Sequence, residues 1–350
     1  MIRPMTPAGT RVLRLGGHSL LWRPRAVLVC GLLLGLALAL GLVLLGTGTL
    51  GFTPAQVVAG LLGDPAEPMA TRIIQRLRLP RVLTAACVGA GLGMAGAAFQ
   101  SLSRNALGSP DVIGFTTGAA TGAISAIILV QATPAQTALA AIASGLLTAL
   151  AVLLMARQAG AGGGYRLVLV GLGTGAVLTG VNTMLMVKGD IDQAMAAQVW
   201  LAGSLNGRSW SHVLPAAAGL VLFAPVLALA ARKLALLEMG ADLAMQLGIR
   251  TGPLRLAVVL AAVGLTSVAT ASTGPVAFIA LAGPQIARRL TRAPGVPLAS
   301  GALAGAALLL GADLLGQWSP FGLVLPVGLT TGFLGGLYLI VLLLQDRGRA

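Results

Sequence analysis

The sequence predicts an all-α fold: a polytopic membrane protein of about ten transmembrane helices. Three observations carry that expectation. Of 350 residues, 57% are hydrophobic and only 9% are Asp, Glu, Lys or Arg, against roughly 25% charged in an ordinary soluble domain. Apolar, nearly charge-free runs recur along the chain at the length that crosses a bilayer, about 20 residues. The 23 Lys and Arg against 9 Asp and Glu fall mostly between those runs, as they do where cytoplasmic loops collect Lys and Arg. In a soluble protein the net charge of +14 would point to nucleic acid. Here it reports topology, and no nucleic-acid partner is expected.

The first run, 26–46 (AVLVCGLLLGLALALGLVLLG), follows Arg3, Arg11, Arg14, Arg23 and Arg25. Its length and the absence of a small-residue cleavage site make it a retained helix that starts in the cytoplasm, behind a tail at 1–25. Further spans are expected near 80–100, 112–131, 134–156, 166–187, 212–231, 254–273, 275–291, 298–317 and 325–344. The weakest is 275–291, interrupted by Pro275 and Pro284 with a short apolar core; losing it would flip the C-terminus. Ten spans put both termini in the cytoplasm of a cell-membrane protein, with one transmembrane domain over 26–345 and a second tail at 346–350.

Sorting the basic residues by side tests this layout. Seventeen fall inside: the five in the tail, then Arg104, Arg157, Arg166, Arg232, Lys233, Arg250, Arg255, Arg288, Arg289, Arg292, Arg347 and Arg349. Six fall outside: Arg72, Arg76, Arg78, Arg81, Lys188 and Arg208. The split obeys the positive-inside rule. Many of the 49 glycines lie within spans, as in GAGLGMAG (89–96), GLGTG (171–175) and GALAG (301–305). In lipid, small residues mark helix faces that pack closely. GLGTG lacks the preceding strand and downstream acid of a dinucleotide site and is read as packing.

Several chemistries are missing. No GxxxxGK[ST], HExxH or CxxC occurs, so neither a P-loop ATPase nor a metal enzyme is indicated, and no cofactor is expected. Cys30 and Cys87 lie in apolar runs and read as small core residues; His18 and His212 read as surface residues. The one clear carboxylate within a span is Asp313. An ion-coupled carrier usually holds several ionisable groups in the membrane, so Asp313 is read as hydrogen-bonded to a helix end or a polar partner.

Two loops look made for partners. Residues 231–255 exceed the two to eight residues of a plain connector. They read as a short amphipathic helix, with Leu234, Leu237, Ala241 and Met245 on one side, Glu238 and Asp242 on another, and a stop at Gly248. Such a helix under the membrane either docks a cytosolic partner or rests on the interface. The stretch TRIIQRLRLPR, 71–81, is basic on the side where basic residues are disfavoured. Arg78 and Arg81, flanking Pro80, could meet acidic groups through bidentate pairing, or contact lipid headgroups.

RLPR at 78–81, GAGLGMAG, Gln100, RNALGSPDVIGFTTGA at 104–119, LLEMGADLAMQLG, GPVAFIALAGPQIAR at 274–288, GADLLG at 311–316 and LPVGLTTGFLGGLYLI at 325–340 together resemble the FecCD permeases. These are membrane subunits of ABC importers for ferric siderophores, haem and cobalamin. The resemblance covers about 70–345 in order and spacing. It implies a BtuC-like type II importer fold and a non-enzymatic subunit. It also implies partnership with a second permease subunit, identical or, as the favoured reading, heteromeric, with two cytosolic ABC ATPase subunits and with an extracytoplasmic siderophore-binding protein. It assigns binding-protein docking to Arg78 and Arg81, and ATPase coupling to Glu238, Met239, Gly240, Ala241, Leu247 and Gly248. Three positions depart from the family pattern: Ala106 for proline, Gln285 for histidine, and Gln317 where some members carry a third docking arginine. The turn at Ala106 is therefore expected to be less rigid, and docking to lean on Arg78 and Arg81. Ferric siderophore import is the function implied, with cobalamin or haem import, or a stand-alone secondary transporter, as the competing readings.

Overall fold

The computed structural model describes residues 11–15, 18–48, 50–111, 114–157, 163–318 and 325–347. Two strands, β1 (Arg11–Leu15) and β2 (His18–Trp22), pair antiparallel ahead of the helices. The tail expected at 1–25 therefore contains an antiparallel pair of strands.

The helices are α1 (Pro24–Gly46), α2 (Pro54–Leu62), α3 (Pro68–Ile73), α4 (Leu79–Ser103), α5 (Phe115–Val130), α6 (Pro134–Arg157) and α7 (Gly163–Lys188). They continue with α8 (Ile191–Leu201), α9 (Trp210–Glu238), α10 (Ala241–Gln246), α11 (Thr251–Thr273), α12 (Ile279–Thr291), α13 (Leu298–Gln317) and α14 (Val327–Arg347). Each of the ten expected runs contains a helix, and α2, α3, α8 and α10 are short additions between them. Among the described residues, seven helices are long and apolar enough to cross a membrane.

The expected span 275–291 is the clearest departure. Helix α12 begins only at Ile279, so it reaches roughly 20 Å at 1.5 Å per residue, short of the ~30 Å hydrocarbon core. Residues 274–278 run non-helically and meet two other helix breaks. Ser204 donates its N–H to Thr273 O at 2.7 Å, and Gly328 donates to Gly203 O at 3.2 Å. These bonds satisfy backbone groups at the end of α11, just after α8 and at the start of α14, groups that lipid could not satisfy.

Helix α4 lies at the centre, packed by α13, α9, α11 and α12. Glycine makes this possible. A Cβ on Gly89 would lie 2.5 Å from Gly305 O, and one on Gly93 would collide with Gly301 O. The GAGLGMAG and GALAG motifs are thus two halves of one seam, in which backbone meets backbone. GLGTG serves likewise against the turn before α5, where Gly114 has φ +82° and its Cβ position lies 2.7 Å from Gly171 O. The outer surfaces expose Leu28, Leu32, Leu38, Val221, Leu229 and many similar side chains, a surface suited to lipid rather than water.

Candidate functional site

The two ends of the bundle carry the residues singled out in the sequence. At one end, Pro80 sets the local geometry. It has no N–H to return to the preceding turn, and the chain enters α4 through a π turn, Ile74–Arg78, in which Leu79 donates its N–H to Ile74 O. The wider turn re-aims the side chains that follow it, a use π turns often have at functional positions.

Arg78 is thereby directed across the mouth of α1. It donates to Leu45 O at 2.7 Å and to Leu50 O, and its guanidinium stacks 4.7 Å above the Phe52 ring. Arg81 reaches Asp313 on α13 through two parallel bonds, Nη2 to Oδ1 at 2.7 Å and Nε to Oδ2 at 3.0 Å. Its Nη1 donates to Asn206 Oδ1 at 2.7 Å. Gln317 donates to Asp313 Oδ2 at 3.1 Å. Asp313 is 2% exposed and Arg81 21%, so the carboxylate is sealed while the guanidinium keeps one side open. The polar partner expected for Asp313 is therefore a docking candidate itself, and Gln317 supports the pair.

These groups border a cavity of about 910 Å³ that also receives Arg76, Arg208 and Trp318. Asn206 and Arg208 were not assigned a site role from the sequence; the only signal was the polar turn SLNGRS between two apolar helices. His212, expected at the surface, is half-buried. It closes the start of α9, accepting from Ser209 N–H at 3.3 Å and lying 3.1 Å from Arg208 Nη1.

At the other end, the expected amphipathic segment 234–248 is not one helix. Leu234 and Leu237 are buried at the end of α9, while Met245, expected on the same face, is half exposed. The break falls at Gly240, whose φ of +130° is a conformation L side chains rarely adopt. A Cβ there would meet no atom within 4 Å, so the glycine is required by conformation and not by crowding. Six-residue α10 follows, and Gly248 at φ +79° turns the chain into α11. Ala241 packs against the core, whereas Met239, Leu243, Met245 and Leu247 are exposed. The loop thus presents an apolar apron on a tight frame. Glu238 is engaged within the chain, accepting from Arg288 Nη2 of α12 at 2.8 Å.

The two departures at Ala106 and Gln285 touch each other. Gln285 Nε2 donates to Ala106 O at 2.7 Å and to Gln100 Oε1 at 3.1 Å, while Gln100 donates to Leu281 O at 3.0 Å. The turn expected to loosen without proline is tied to α12 instead. Among the described residues no cluster of His, Cys, Asp or Glu could hold a metal ion.

A bundle of apolar helices with a charged mouth at one end and an apolar helical loop at the other defines a polytopic membrane protein of the permease class. The FecCD transport family matches residues 33–345, and the chain belongs to that family. It is 44% identical over 322 residues to the ferric enterobactin transport system permease protein FepG of Escherichia coli K12, covering 92% of this chain and 97% of that one. It is 38% identical to the achromobactin transport system permease protein CbrC of Dickeya dadantii, covering 89% and 90%. A solved structure described as an inward-facing conformation of a metal-chelate type ABC transporter superposes with a TM-score of 0.82 at 25% identity. That match covers 91% of this chain and 99% of the other.

Proposed function

We propose that this chain is the membrane-spanning permease subunit of an ATP-driven importer that carries a ferric siderophore of the catecholate, enterobactin-like class into the cytoplasm. The observation that carries the reading is the placement of two unlike docking features at opposite ends of one bundle. One is the arginine-lined mouth at Arg78 and Arg81; the other is the exposed apolar apron of α10. A carrier working alone has no use for the second. The mouth faces outward and receives an acidic siderophore-binding protein, while the α10 end lies in the cytoplasm, with both termini. Two ATPase subunits dock there, through Met239, Leu243 and Leu247, with Gly240 and Gly248 fixing the loop. The second permease is a non-identical, heteromeric subunit.

In this reading the subunit performs no chemistry on its cargo. A ligand shifts a two-state protein only through differential binding. ATP bound at the partner supplies that difference by pulling on α10, whose motion passes through Glu238 and Arg288 to α12. The test is uptake of radioiron-loaded siderophores by cells carrying the full system. Uptake of ferric enterobactin that stops when the ATPase is inactivated supports the assignment. Uptake that survives that loss and collapses with the proton gradient refutes it, and cobalamin uptake in place of iron corrects the cargo.

A further inference from the structure

At the α10 end, a trench of about 400 Å³ runs between α4, α6, α7 and α11. Its walls are hydrocarbon, including Leu150, Leu154, Leu167, Leu256 and Val259. Leu150 and Leu154 are 42% and 51% exposed, so the trench opens on the same side as the lipid-facing surface of α6. Arg255 is the one charged residue among those lining it. Arg104, at the end of α4, lies close enough for the two like charges to repel. Among the described residues neither forms an ion pair: the two ion pairs present are Arg81–Asp313 and Arg288–Glu238. Arg166 precedes the lining Leu167, and its Nη1 is buried without a hydrogen-bond partner. The segment joining α6 to α7 contains no Asp or Glu that could supply the missing negative charge.

An exposed Arg104 and a half-buried Arg255, without an ion pair among the described residues, beside an open trench lined mostly by hydrocarbon offer two things to a ligand: a place for negative charge, and leucines for hydrocarbon to cover. An inorganic anion uses only the first and an uncharged lipid only the second. We infer that this trench is a binding site for an anionic phospholipid, with its phosphate held by Arg255 and Arg104 and an acyl chain laid along Leu150, Leu154 and Leu256. Arginine suits the phosphate through its planar fork of donors, and basic pockets between helices are a recognised setting for acidic headgroups. The site lies at the α10 end but uses none of the residues assigned to docking there or at the arginine-lined mouth. An acidic side chain of a docked ATPase is the rival source of charge, but it would leave the trench empty of hydrocarbon.

The experiment titrates the purified full-length protein, in neutral detergent, with phosphatidylglycerol, phosphatidylcholine or inorganic phosphate, and follows thermal unfolding and lipid retention by native mass spectrometry. Saturable stabilisation by phosphatidylglycerol alone is expected. Arg255→Gln and Arg104→Gln should each weaken it about fivefold. Gly252→Trp should weaken it with every charge intact, because Gly252 lines the trench and a Cβ there meets no atom within 4 Å. Equal stabilisation of the Arg104→Gln/Arg255→Gln double variant, or the same effect from inorganic phosphate, overturns the proposal. Should that variant fail to fold, a photoreactive phosphatidylglycerol on the wild-type protein decides: labelling within 150–156 and 252–259 supports the site, and labelling elsewhere overturns it. Protection of Arg255 from modification by the ATPase in lipid-free detergent, unchanged by phosphatidylglycerol, also overturns it.

Discussion

Replacing Arg81 with Met and Asp313 with Leu, singly and together, separates what this pair does for the fold from what it does for a partner. In Arg81→Met the carboxylate of Asp313, 2% exposed, keeps only the Gln317 amide. Removing one member of a buried pair costs about 3–5 kcal/mol. Arg81 is 21% exposed and borders the open cavity, which places the loss near the lower figure, about 3 kcal/mol. Asp313→Leu is milder, about 1–2 kcal/mol, because the guanidinium still has Asn206 and open cavity around it. The double variant removes both charges, and apolar replacement of a buried pair is commonly neutral, so it should fall within about 1 kcal/mol of wild type. The expected coupling is then about 3–6 kcal/mol. Equilibrium unfolding in mixed micelles of rising dodecyl sulfate content measures it. Coupling below about 0.5 kcal/mol, the level of independent sites, would refute the claim that the pair ties α4 to α13. The stable double variant is also the clean docking probe: it should insert and fold yet bind the siderophore-binding protein weakly. Arg81→Glu would mislead, since it sets a second carboxylate against a sealed one and confounds lost docking with lost fold.

Gly93→Val should destabilise by at least about 2 kcal/mol in the same assay, since overpacking costs about 1–3 kcal/mol and the colliding atom is the backbone of Gly301. Gly173→Ala, where a Cβ meets no atom within 4 Å, should be close to neutral. Gly240→Val should retain insertion, cost about 1–3 kcal/mol in local strain and lower uptake more than ATP hydrolysis; unchanged transport would remove Gly240 from the coupling role. Gln285→Ala should cost about 1–2 kcal/mol and speed hydrogen exchange of the amides at 105–108. Exchange rates equal to wild type would show that the Gln285 bridge does not hold that turn.

The helical runs were legible because lipid imposes a simple demand, apolar side chains over a known length, and 26–46 or 298–317 meet it without competition. Position 275–291 misled because apolar composition does not distinguish a helix from an irregular segment packed against other helix ends; only the close contacts of Gly203, Gly274 and Gly328 reveal that. The glycine motifs announced close packing but not their partners, since nothing in GAGLGMAG names GALAG. Arg81 and Asp313 were each noticed, but 232 positions separate them, and a pair so distant is invisible without the fold. The amphipathic reading of 234–248 failed for a local reason: it carried one helical period through Gly240, where the backbone breaks that period. Ala106 and Gln285 were noted as two separate departures, whereas space makes them one bond.

The seam between α4 and α13 has a mechanical consequence. Backbone approaches backbone at Gly89–Gly305 and Gly93–Gly301 too closely to admit a Cβ, and the Arg81–Asp313 fork ties the register at one end. Sliding is blocked and separation is opposed, so the two helices travel as a single beam. Whatever opens and closes this subunit must then swing that beam as a whole, with the bending left to the irregular segment at 274–278 and the glycine break at 240. A disulfide placed across the seam should leave transport intact, and one across the 274–278 break should arrest it.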